Sequence, residues 1–74
     1  MNKELKDEIN KLKQERSELE NKRNKLENML VSDKEVTFNS EYLMRNQLEI
    51  MNNYINVLSE RIAQLIYELN AVEE

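Results

Sequence analysis

The first part of the chain repeats Leu5, Ile9, Leu12, Arg16, Leu19, Arg23, Leu26 and Leu30, at steps that alternate 4, 3, 4, 3, 4, 3, 4. An average step of 3.5 keeps one narrow seam of a helix turned toward a partner. Apart from Met29, the rest of this stretch is polar. Glu8, Lys11, Glu18, Lys22 and Lys25 mix charges along its flanks. Such pairs stabilise by only about 0.2–0.5 kcal/mol each and mainly solvate the helix. The pattern predicts a first helix over about residues 2–30.

The second part carries Met44, Leu48, Met51, Ile55, Leu58, Ile62, Leu65, Leu69 and Val72 at the same alternating steps, and all nine are apolar. Beside this seam runs another, Leu43, Gln47, Ile50, Tyr54, Val57 and Arg61. At 100° per residue it lies about 110° around the helix from the first. The second helix, predicted over about residues 40–72, therefore shows two faces to partners, one dry and one mixed. The first helix has a single thin seam and can cover only one of them.

Residues 31–39 form the connector, rich in β-branched and capping types. Ser32 with Glu35 reads as a capping box for one turn, and Thr37 or Asn39 as the N-cap of the second helix. Phe38 is expected to pack back on the base of the hairpin. A connection this short makes the helices antiparallel neighbours. The expected fold is all-α, a single antiparallel two-helix hairpin over residues 1–74. An uncovered apolar face predicts self-association. The hairpin is expected to form a homo-oligomeric bundle with Leu48, Met51, Ile55, Leu58, Ile62, Leu65 and Leu69 at its core.

Composition narrows the chemistry. The 74 residues include no Gly, Pro, Cys, His or Trp. Without Gly there is no phosphate-cradling loop. Without Cys and His, thiol nucleophiles, disulfides, imidazole bases and the common zinc sites are excluded. Carboxylates are plentiful, but nothing resembles a nucleophile, base and orienting group in one set. An enzyme is not expected, nor a metal or a cofactor. No apolar run reaches the roughly 18 residues of a membrane span and there is no secretory signal, which leaves the cytoplasm as the expected location. The polar face of the second helix is acidic and rich in Asn, unlike a membrane-surface helix.

The formal net charge is −4, from 11 basic and 15 acidic residues. Residues 1–30 carry eight basic and seven acidic groups, and residues 31–74 carry three and eight. Lys3, Lys6, Lys11, Lys13, Lys22 and Lys25 are interleaved with Glu, so no face is cleanly basic and nucleic acid is not an expected partner.

Two sets of residues remain as candidates. Arg16 and Arg23 occupy seam positions where Leu is expected. They can snorkel, pair with acidic residues of the second helix and fix register, or line an anion site, since guanidinium forks suit phosphate and carboxylate. Gln47, Tyr54 and Arg61 recur every seven residues, with Tyr42, Arg45, Asn46 and Asn53 nearby. Tyr can stack on a planar group, Asn and Gln can read its edges, and Arg can neutralise phosphate. The same side chains also suit a polar network that specifies the oligomer.

Residues 43–62 read Leu43-Met44-x-x-Gln47-x-x-x-Met51-x-x-Tyr54-x-x-x-Leu58-x-x-Arg61-Ile62. This resembles the second helix of a group of small helical-hairpin proteins encoded in phages and prophages, Leu-Leu-x-x-Gln-x-x-x-Met-x-x-Tyr-x-x-x-Leu-x-x-Arg-Ile. Their connector carries a Phe and a cap, as Phe38 and Thr37 do here. The resemblance covers about a third of the chain, and Leu65, Leu69 and Val72 continue the seam beyond it. It implies a small phage accessory protein that binds stoichiometrically in the host cytoplasm and antagonises host defence. One form of such a protein is an oligomer that sequesters a nucleotide immune signal, with Arg16, Arg23, Arg45 or Arg61 on phosphate and Tyr42 or Tyr54 on base. A second is an inhibitor that binds a host or phage protein through its acidic surface. A third reading is a structural coiled-coil oligomerisation module. In each case a chain with one bend has its sites between copies.

Overall fold

The computed structural model describes residues 2–32 and 37–73. They form two helices, α1 (Asn2–Ser32) and α2 (Phe38–Glu73). Cross-helix partners fall along α1 as they rise along α2: Glu15 meets Tyr54 and Glu8 meets Arg61. The two helices are therefore antiparallel, and the fold is the expected all-α hairpin. It is a thin rod, 56 Å long and 14 by 13 Å across.

Thr37 caps the N-terminus of α2. Its hydroxyl accepts from the Ser40 backbone N–H at 3.2 Å, and its carbonyl accepts from the Glu41 N–H at 2.8 Å. That satisfies a donor the first turn would otherwise leave open. Phe38 and Asn39 consequently lie inside the helix. Phe38 does not pack on the hairpin base: it is 83% exposed. As the first residue after the cap, it begins a turn whose inward face falls further along, at Met44 and Leu48. Glu35, and with it the expected capping box, lies outside the described residues. Ser32 ends α1 with its hydroxyl bonded to the Asn28 carbonyl at 2.5 Å.

The core is one line of side chains between the helices. Ile9 and Leu12 of α1 pack with Leu58 and Ile62 of α2, and Leu19, Leu65 and Leu69 close around them. Leu58 is fully buried, and Met51 and Ile55 extend the line toward the connector. The all-apolar seam of α2 is thus filled from within one hairpin as far as Leu69, while Val72 at its end is 54% exposed. The second stripe is left in the open, with Leu43 65%, Ile50 67%, Tyr54 46% and Val57 50% exposed. Nothing of α1 remains to cover it, because the apolar side chains of α1 other than Met29 and Val31 already face the seam.

Candidate functional site

Two polar rows flank the core. On one flank, Tyr54 donates its phenol hydrogen to the Glu15 carboxylate. One heptad along α2 and one heptad back along α1, an Arg61 amino group stands 3.8 Å from Glu8. Equal steps in opposite directions keep an antiparallel row in phase, so the two contacts are successive rungs of one ladder. Glu8, Arg61, Gln64 and Leu65 line a shallow hollow there, open to solvent.

On the other flank, Arg16 donates to the Ser59 hydroxyl at 3.2 Å and Arg23 to the Asn52 side-chain carbonyl at 3.3 Å. These are again rungs one heptad apart. Both arginines are half-buried. They meet neutral partners on α2 rather than acidic ones. The nearest carboxylate to Arg16 is Glu20 of its own helix, at 3.7 Å. Their alkyl stems complete the seam while the guanidinium groups reach its edge, as long cationic side chains do. Arg45 lies in the same row of α2 as Asn52 and Ser59, seven residues apart. It chelates Glu41 on its own helix through two nitrogens, at 2.8 and 3.0 Å.

One hairpin therefore splits the candidates. Gln47, Tyr54 and Arg61 share the open flank, with Asn46 half-buried and Asn53 exposed beyond it. Arg16, Arg23 and Arg45 occupy the opposite flank. Tyr42 stands exposed and apart from both. The carboxylates that hold the open row, Glu8 and Glu15, were hidden in the sequence among many similar residues. Their signal is their spacing, one heptad apart and beside the α1 seam.

The Tyr54 phenol ionises above its ordinary value of 10.0. The main cause is the hydrogen bond to Glu15, which needs the phenol proton; burial and the negative charge of Glu15 add to it, and Arg61 opposes it. At neutral pH the row therefore displays a neutral aromatic ring and one guanidinium, spaced about 10 Å along the helix. Among the described residues no group of acidic side chains is placed to hold a metal ion, and no helix is long and apolar enough to cross a membrane.

An antiparallel hairpin with a polar ladder on each flank and an uncovered stripe on its second helix places the chain among small two-helix proteins. The profile of the Sequestin family matches residues 6–64, and the chain belongs to that family. No curated protein and no solved structure matches the chain.

Proposed function

We propose that this protein is a non-enzymatic, phage-type accessory protein that sequesters an anionic nucleotide immune signal between protomers and so antagonises host antiviral defence. The family name denotes sequestration and supports binding over catalysis. The observation that carries the reading is the uncovered row Gln47, Tyr54 and Arg61, set beside exposed Leu43, Ile50 and Val57.

The chemistry of that row fits a nucleotide. A neutral tyrosine ring offers a face for base stacking, worth about 1–3 kcal/mol in single-stranded nucleic acid sites. The Arg61 fork suits phosphate oxygens. Its contact with Glu8 is solvent-exposed, and such pairs stabilise by about 0–1 kcal/mol, so phosphate can take over the guanidinium at small cost. The spacing of ring and guanidinium is comparable with the reach from a base to its phosphates. Asn53 and Gln47 supply donors and acceptors for the edge of the base.

Calorimetry against a panel of cyclic nucleotides tests this directly. Stoichiometric heat with one member, lost on Tyr54→Ala or Arg61→Ala, is the expected result. No binding to any member, with helicity and assembly intact, would sink the nucleotide reading. Recovery of a single stoichiometric host protein in a pull-down would then favour inhibition of a protein partner through the acidic surface.

A further inference from the structure

The flank opposite the Tyr54 row is used neither by the core nor by the proposed function, and its centre is cationic. Arg23 spends its donors on Asn24 and Asn52, and among the described residues no carboxylate pairs with it. Arg16 donates to Ser59, and its one carboxylate, Glu20 of its own helix, stands at 3.7 Å with both side chains partly in solvent. A guanidinium whose partners are neutral keeps its charge available for an oxyanion. The two stems lie in the seam one heptad apart, which sets the two forks about 10 Å from each other along α1.

Apolar surface bounds this centre at the same interval. One heptad beyond Arg23, Leu30 and Val31 line an open hollow with Leu48 of α2, rimmed by Glu27 and by Arg45, which Glu41 already holds. Val31 is 88% exposed there. One heptad beyond Ser59, at the other end, Ile66 is 37% exposed. The groove between the helices on this flank therefore reads apolar, cationic, cationic, apolar, at steps of seven residues.

We propose that this groove receives an amphipathic helix of a different protein, with two carboxylates one heptad apart that meet Arg16 and Arg23 and an apolar residue one heptad outside each. A helix is the matching shape, because it lies in the groove between two others and repeats its side chains at the same interval of about 10 Å. The contact of Glu20 with Arg16 is an exposed pair, worth about 0–1 kcal/mol, so an incoming carboxylate displaces it at small cost. Glu20 and Glu27, one heptad apart beside the arginine row, then favour Lys or Arg on the flank of the incoming helix.

The occupant is not a further copy of this chain. The sequence holds two pairs of acidic residues seven apart, Glu8 with Glu15 and Glu20 with Glu27. The first pair has Lys22 one heptad on, and the second has Lys13 and Lys34 on either side, where the groove asks for apolar residues. Glu8 and Glu15 are also held by Arg61 and Tyr54. The Tyr54 row lies on the other flank and stays open with this groove filled. The surface therefore does not rest on the nucleotide reading, and its test contains no nucleotide.

Synthetic helical peptides test the surface. The probe carries Leu at the two outer heptad positions and Glu at the two central ones, on a helix otherwise of Ala, Gln and Lys; its control carries Gln at the central two. Fluorescence anisotropy reads each labelled peptide against the full chain. The Glu peptide is expected to bind roughly tenfold more tightly than the control, with the difference shrinking as salt rises. Arg23→Gln, checked for helicity by circular dichroism, is expected to remove most of that difference. Val31→Lys, at a position too exposed to matter for folding, is expected to weaken the probe several-fold, and Tyr54→Ala to leave it unchanged. Equal binding of the two peptides, or no binding of either, overturns the proposal, as does a difference that survives Arg23→Gln. A probe that ignores Val31→Lys or is lost on Tyr54→Ala sits elsewhere on the rod and overturns it as well.

Discussion

Tyr54 and Arg61 share a row but are held differently. The Tyr54 hydroxyl is committed to Glu15, which favours the protonated phenol in the folded chain. A raised folded pKa contributes stability that is fully present below the unfolded value of 10.0 and is lost as pH climbs through the folded value. Spectrophotometric titration should show Tyr54 ionising above the ordinary value of 10.0, and Glu15→Gln should bring it back toward that value. Arg61 is tied only by an exposed contact to Glu8. On the proposed nucleotide reading, Glu8→Gln should therefore strengthen binding several-fold, by releasing the guanidinium and removing a competing negative charge. Arg61→Ala should weaken it by roughly ten- to a hundred-fold, the range for a lost hydrogen bond to a charged group. Calorimetry reads both. Heptad arithmetic in the sequence singles out Tyr54 and Arg61 without effort. Their partners Glu8 and Glu15 stay hidden, because which carboxylates they meet depends on the register between helices, and no single helix records that.

Helix α2 is defined by its cap at one end and by the seam along its length. Thr37→Ala removes the acceptor for the Ser40 N–H and should cost about 1 kcal/mol, seen as a lower midpoint in urea. Leu58 is fully buried in the line between the helices, so Leu58→Ala should cost about 2–5 kcal/mol and leave little folded hairpin by circular dichroism. The two helices, their direction and the covered seam were legible in the chain, because a 3.5-residue repeat is a strong and redundant signal. The start of α2 was less so. Thr37 and Asn39 are both good caps, and only the folded first turn chooses Thr37. Phe38 misled for a related reason: an aromatic beside a cap resembles a staple, but its place at the head of the helix turns it outward. The arginine pair of α1 was legible as a break in the seam, while its neutral partners Ser59 and Asn52 were not.

Taken whole, the molecule is a single line of buried side chains between two helices, with no disulfide to reinforce it. A chain of this size rarely gains more than about 3–5 kcal/mol from one core. The proposed sequestration between protomers links folding to association, so the thermal midpoint should rise with protein concentration. Thermal scans at several concentrations check this. The long, narrow outline has a consequence for how such chains are counted. The rod is about four times as long as it is wide, so it meets more friction in water than a sphere of equal mass. Gel filtration and diffusion will overstate its weight, and a lone hairpin will pass for a pair. Stoichiometry must be read from scattered light or from an equilibrium gradient, where shape drops out.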